Sequence, residues 1–234
     1  MNAMNVAVVV AAGKSRRMGG GRNKVLNLLG GRPVLSYCLE VFQQSPQVQQ
    51  VVIVGREDDR EEMEAVARDY CPKAAGHFIT GGAERFDSVK NGLEYWEDWK
   101  PDSVLIHDGA RPFLQEEFIR ASLNALSEVP GCVVGVPLRD TLKEVSGGDL
   151  VTQTHDRSCF WLAQTPQVFR YEVILNAYRS CHPPPYPTDD GAVLEMLNQP
   201  VRMVQGSYQN MKLTTPEDWQ LAEAIITARN ARTL

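Results

Sequence analysis

A chain of 234 residues, 43% hydrophobic and 23% charged, has the make-up of a water-soluble globular protein large enough to bury a core without staples. No apolar run approaches the length of about 20 residues that spans a bilayer, and the apolar segment near the N-terminus lacks the basic flank of a secretory leader. The net charge of −5 argues against broad nucleic-acid binding, yet residues 1–39 carry six Lys and Arg and no acid, which points to a pocket for a compact anion.

In chain order, residues 5–11 (NVAVVVA) read as a buried strand, 33–42 as a helix with Leu35, Leu39 and Phe42 on one face, and 51–55 as a second buried strand. A charged helix over 59–70 turns Met63, Val66 and Tyr70 inward. A short strand follows at 77–80, then a helix over 84–96 with Val89, Leu93 and Trp96 aligned, a strand at 103–107, a helix at 115–126 and a strand at 132–136. Continuous apolar strands alternating with helices predict an α/β fold: a single Rossmann-like domain, residues 1–234, whose mostly parallel sheet is covered by helices on both faces. Residues 138–160 break the pattern, because LRDTLKEV and LVTQTHD alternate around SGGD and so predict an inserted β-hairpin arm. Helices near 171–180 and from 189, a strand at VRMVQG and a last helix capped by Thr215 with Pro216 in its first turn complete the reading.

Five scattered cysteines (Cys38, Cys71, Cys132, Cys159 and Cys181) form no CxxC pair. They predict neither a disulfide framework nor a zinc site, and fit a reducing cytoplasm. The four tryptophans make no stacking ladder for single strands.

Ligands of parallel α/β sheets bind beyond the carboxyl ends of the strands, and the unusual segments fall there: AAGKSRRMGGGRNK after the first strand, GGAERFDS after the short strand, and HDGARP after SVLIH. The GKS tripeptide is no P-loop, because the first glycine of that motif would have to stand at Val8, inside the strand; a dinucleotide fingerprint fails at Ser15. What remains is a glycine-rich turn with Arg16, Arg17, Arg22 and Lys24, suited by close backbone approach and charge to wrap a triphosphate.

Seven segments, AAGKSRRMGGGRNK, GGAERFDSV, VLIHDGARPF, PLRDTLKEV, FWLAQTPQVF, PTDDGAVLE and KLTTPEDW, run in order from residue 11 to residue 219. Together they resemble the 2-C-methyl-D-erythritol 4-phosphate cytidylyltransferase family of nucleotidyltransferases. The family usually has Gly where Ser15 stands, Pro at Asn23, an acid at Ala83 and Ala at Gly109; the change at Asn23 leads us to expect a looser lysine-bearing turn.

The resemblance implies an enzyme that joins CTP to a small polyol phosphate with Mg²⁺, in the cytoplasm, with no nucleic acid or membrane as partner. It implies Arg17 and Lys24 as the catalytic pair, Asp108 as the metal ligand, and Ala11, Ala12, Gly13, Ser15, Gly81, Gly82, Ala83 and Ser88 around the nucleotide. Thr141, Arg157, Thr165 and Lys212 are expected to contact the acceptor, with Thr141 and Arg157 on the two limbs of the arm. It also implies a homodimer in which the arm crosses to a second subunit. His107 reads as structural; Arg85 as a phosphate contact or a loop brace; Arg111 as a partner of Asp108 or of phosphate; Asp189 and Asp190 as helix caps or a second metal pair. The acceptor is methylerythritol phosphate or a pentitol phosphate such as ribitol 5-phosphate, and a non-catalytic nucleotide-binding module is the competing class.

Overall fold

The computed structural model describes residues 3–13 and 22–231. The elements are β1 (Asn5–Val10), β2 (Leu28–Leu29), β3 (Arg32–Pro33), α1 (Val34–Gln44), β4 (Gln50–Gly55), α2 (Arg60–Tyr70), β5 (Phe78–Thr80), α3 (Arg85–Tyr95), β6 (Ser103–Asp108), α4 (Glu116–Ala125) and β7 (Gly131–Pro137). They continue with β8 (Leu142–Val145), β9 (Val151–His155), β10 (Trp161–Arg170), α5 (Tyr171–Ser180), α6 (Asp190–Glu195), β11 (Val201–Gln205) and α7 (Pro216–Asn230).

Seven strands form one sheet in the order β11-β7-β10-β6-β1-β4-β5. The β1–β4, β1–β6, β4–β5 and β11–β7 pairs are parallel, as the apolar runs predict. Alternate residues of each strand enter different cores, as the period of two requires. Ala7, Val9, Val51, Ile53 and Leu105 pack with Leu35, Leu39 and Phe42 of α1, Met63 and Val66 of α2, and Phe118 and Ile119 of α4. Val6, Val8, Val52, Val54 and Ile106 pack with Val89 and Leu93 of α3, Ile174 of α5, and Val193 and Leu194 of α6. The capping box of α7 pairs Thr215 with Asp218, and Ala222 and Ile226 of that helix cover Leu29, Val34, Phe113 and Leu213.

One strand was not foreseen. β10 lies antiparallel between β6 and β7, in the middle of the sheet. Its sequence, WLAQTPQVFR, carries Gln164, Thr165, Pro166 and Gln167 where a central strand should be apolar, and a proline inside a run argues against one. The structure accommodates them at an irregularity: the register with β7 shifts between Ala163 and Gln167, so Pro166 sits where the ladder is already broken. Residues 142–155 pair as their own two-stranded hairpin, Leu142 opposite His155, with Val145, Leu150 and Val151 exposed.

Candidate active site

The parallel strands deliver their carboxyl ends to one edge. Ala11 donates its N–H to Val54 O (2.7 Å), Gly81 to Gly55 O (2.7 Å) and Gly109 to Val10 O (2.9 Å), which stitches the turns after β1, β5 and β6 side by side. Gly81 has to be glycine here: a Cβ on it would lie 2.5 Å from Ala12 Cβ and 2.8 Å from Ser88 Oγ. Ala11 is buried, Ala12 half-buried, and Gly13, Gly82 and Ala83 are exposed. Ser88 is buried; its hydroxyl accepts from Gly82 N (3.1 Å) and donates to Glu84 O (3.1 Å), so it braces the 81–84 turn rather than offering a proton to a ligand.

Asp108, the last residue of β6, is almost fully buried among cations. Its Oδ1 accepts from Arg85 Nε (3.2 Å), while its Oδ2 lies 2.9 Å from Lys212 Nζ and 3.7 Å from Arg111 Nε. Burial alone would raise its pKa, but Arg85, Lys212 and Arg111 together outweigh that and hold the carboxyl well below the usual carboxylate range. Arg111 also donates to Asn210 O (2.8 Å), which answers its open role in favour of Asp108 and the backbone. The buried Asn210 donates in turn to Gln164 Oε1 and Thr165 O, and Leu213 N to Ala110 O, so the segment bearing Lys212 is tied to β10 and to the loop after β6.

Thr165, expected to meet the acceptor, is placed one layer behind. It is buried, its Oγ1 accepts from Asp108 N (3.0 Å), and it lies 3.0 Å from His107 Nδ1. His107 Nε2 is 3.2 Å from Arg111 O, which only accepts; the proton of the neutral ring therefore sits on Nε2, and Thr165 donates to Nδ1. His107 is the structural residue the sequence predicts, packed edge-on against Phe42. Burial pushes its pKa from the ordinary 6.5 down to about 4. A depressed histidine stabilises the fold above its unfolded value, and that stability is lost as pH falls through the folded one. Lowering the pH from 6.5 to about 4 should therefore cost about 3 kcal/mol through His107. Urea unfolding at stepped pH checks this: the His107→Gln variant should lose less stability across that window than the parent, and equal slopes would refute it.

Asp189 and Asp190 do different jobs. Asp189 is the N-cap of α6, accepting from Ala192 N (2.9 Å). Asp190, fully buried, receives Arg85 Nη1 (2.7 Å) and Nη2 (2.8 Å) and the Tyr178 hydroxyl (2.6 Å). Gln167 Oε1 accepts from the backbone N–H groups of Asp190 and Gly191, and its Nε2 donates to Asp189. Arg85 is thus held by two carboxylates and braces α6 against β6.

These donor sets bear on magnesium, expected at Asp108. Among the described residues no three His, Cys, Asp or Glu side chains gather as a metal cage, and both Asp108 oxygens are already occupied by cations. A resident metal does not fit this arrangement. A divalent ion fits only as a companion of the triphosphate, ligated mainly by phosphate oxygens and water, as Mg²⁺ commonly is.

Arg17 and Ser15 lie outside the described residues. Lys24 opens a short 3₁₀ turn, Lys24–Leu26, anchored by buried Val25 and Leu26. The preceding Asn23 is 1% exposed, and its side chain donates to Ala11 O (2.7 Å) and Asp59 Oδ2 (2.9 Å) and accepts from Val25 N (3.3 Å). The expectation of a looser turn is overturned, because three hydrogen bonds hold what a proline would hold covalently. Thr141 and Arg157 are exposed and flank the hairpin rather than lying on its limbs: Thr141 precedes β8, and Arg157 opens the turn after β9 and donates to Arg139 O. Neither bonds to the Asp108 cluster among the described residues.

A family model for 2-C-methyl-D-erythritol 4-phosphate cytidylyltransferase matches residues 5–228. The chain belongs to this family. It is 41% identical over 229 residues to the protein of that name from Syntrophotalea carbinolica, covering 95% of this chain and 97% of that one. The Geobacter metallireducens member is 43% identical over 227 residues, with 94% and 96% covered. Among solved structures, a 4-diphosphocytidyl-2C-methyl-D-erythritol synthase from Anaerococcus prevotii superposes with a TM-score of 0.84 at 28% identity, covering 97% of this chain and all of that one. The chain is therefore a nucleotidyltransferase, and among the described residues no helix is long and apolar enough to cross a membrane.

Against the family's motifs, sequence reasoning passed over Asp59, Gln167, Tyr178 and Asn210. Asp59 had a signal, an Arg three residues before it at a helix start; the other three are polar residues whose partners lie 12 or more residues away, or in a strand not foreseen.

Proposed function

We propose that this chain transfers the cytidylyl group of CTP to 2-C-methyl-D-erythritol 4-phosphate, releasing pyrophosphate and giving the CDP-linked methylerythritol used for isoprenoid precursors. The observation that carries the reading, in a member of this family, is the cationic ring of Arg85, Arg111 and Lys212 about Asp108, at the edge where the glycine turns converge. Such a site draws an anionic group out of water.

In the reaction an oxygen of the acceptor's phosphate attacks the α-phosphorus in line. The bond to the β-phosphate oxygen breaks, its electron pair leaves with pyrophosphate, and no bond to the protein forms. The protein aligns two polyanions and stabilises growing charge. Arg17 grips the triphosphate and Lys24 neutralises the α-phosphate, with Ser15 in the same turn. Main-chain groups of Ala11, Ala12, Gly13, Gly81, Gly82 and Ala83 read the cytosine edge, and Ser88 keeps their turn in shape. Lys212 receives the acceptor's phosphate, while Arg111 and Thr165 hold Asp108 in place. Mg²⁺ carried in with the triphosphate, held by phosphate oxygens and water, would offset its charge.

Thr141 and Arg157 serve the site of a second subunit in a homodimer. The exposed Val145, Leu150, Val151, Phe160, Trp161 and Leu162 in and beside the hairpin support its burial there. Five free cysteines support a cytoplasmic setting.

The test is pyrophosphate release from CTP and Mg²⁺ with methylerythritol phosphate or, separately, ribitol 5-phosphate. Turnover is expected with the first and should stop with a chelator. Turnover with ribitol 5-phosphate alone would overturn the acceptor, and turnover unaffected by chelation would overturn the metal.

A further inference from the structure

We infer that Asp59 is a positioning residue for Lys24, acting through the side chain of Asn23. The inference rests on the proposed role of Lys24 at the α-phosphate.

Lys24 directly follows Asn23, and something has to fix where that backbone sits. Asn23 does this from inside the protein. Its amide N–H groups reach Ala11 O, just past the end of β1, and Asp59 Oδ2, just before α2, while its Oδ1 takes the N–H of Val25. The acceptors on one side and the donor on the other admit one orientation of the amide, so every polar atom of the side chain is used.

Asp59 is in turn locked. Arg56 grips it with both arms, Nε to Oδ2 at 2.7 Å and Nη2 to Oδ1 at 2.8 Å. Arg56 directly follows β4, so the clamp sits at the end of a strand of the central sheet. The path runs from β4 through Arg56 and Asp59 to Asn23, and from Asn23 to the residue bearing the ammonium. Arg22, one residue earlier, pairs with Glu62 of α2, a second tether from the same acidic segment. Acids that look like a solvated helix face thereby brace the basic turn.

The backbone of Asn23 supplies the control. Its φ of −65° and ψ of 122° are values a proline ring adopts. Proline at this position fixes the turn without any hydrogen bond, so it should make Lys24 indifferent to Asp59.

The experiment measures kcat and KM for CTP in Asp59→Ala, Asn23→Ala, Asn23→Pro and the double variant Asn23→Pro/Asp59→Ala. Melting curves verify that each is folded at the assay temperature. Asp59→Ala and Asn23→Ala should each lower kcat about tenfold to a hundredfold, the scale of a misplacement near 1 Å, with KM for CTP changing much less. Asn23→Pro should keep the parent's kcat, and adding Asp59→Ala to it should change nothing further. A kcat unchanged by Asp59→Ala overturns the inference. So does an equal loss in both backgrounds, which is what a purely structural Asp59 would give, and so does an Asn23→Pro variant that is itself slow. Lys24→Ala, run alongside, separates the two readings: if it turns over normally, the role of Lys24 fails; if it is inactive while Asp59→Ala is normal, only the inference does.

Discussion

Lys24→Ala should lower kcat by a factor of about 10² to 10³ while leaving the fold as it was. A preformed charge beside the reacting phosphorus acts only as charge builds in the transition state, so its loss falls on the rate. The turn itself is held by other atoms: Val25 and Leu26 are buried, and Asn23 is bonded to Ala11 and Asp59. Removing a half-buried ammonium leaves those contacts in place, and the melting temperature should move little. Lys24→Arg should recover only part of the loss, since a planar guanidinium does not occupy the place of a compact ammonium. Single-turnover rates with saturating CTP, read beside a melting curve, decide the matter. A kcat within about threefold of the parent would take Lys24 out of the chemistry.

Asp190→Ala should cost about 3 kcal/mol of stability, the lower end of what removing one partner of a buried ion pair costs. The aspartate is fully buried and takes two bonds from Arg85 and one from Tyr178. Without it the Tyr178 hydroxyl is orphaned in the core, and Arg85 keeps only Asp108. The Arg85 side chain is 29% exposed, and water relieves part of its loss, which is why the lower end applies. At this chain length the melting temperature should fall by roughly 6 to 12 °C. Asp190→Asn keeps the shape and one acceptor oxygen and should cost less. The acceptor's KM should rise in both variants, because an Arg85 released from Asp190 turns wholly to Asp108 and changes the ring that receives phosphate. Urea titration checks the first claim, and a loss under about 1 kcal/mol would refute it.

The two predictions draw on different levels of the molecule. Lys24 stands out in the sequence because of its company: a glycine-rich, acid-free stretch after an apolar strand. Asp190 stands out only once α3, α5 and α6 are packed. PTDDGAVLE shows two adjacent acids before a helix, and nothing in that string says that one caps the helix while the other meets an arginine 105 residues away. Thr165 teaches the same point from the other side. Its motif marks it as a site residue, yet its proton goes to His107 and its lone pair to Asp108.

By itself the sequence determined the layered α/β architecture, the parallel strands that bring the glycine turns to one edge, the separate hairpin and the family. These follow from local periodicity and from short motifs, in which each residue's partners are its chain neighbours or its own strand face. Only the tertiary structure decided that β10 enters the sheet antiparallel with a proline inside it. It alone decided that Asp108 is shared among three cations, that Asp190 rather than Asp189 pairs with Arg85, and that Asn23 is clamped rather than loose. Each of these is a buried polar group whose partner is far away in sequence. Burial forces such a group to find a partner, but which one it finds depends on how the helices seat against the sheet.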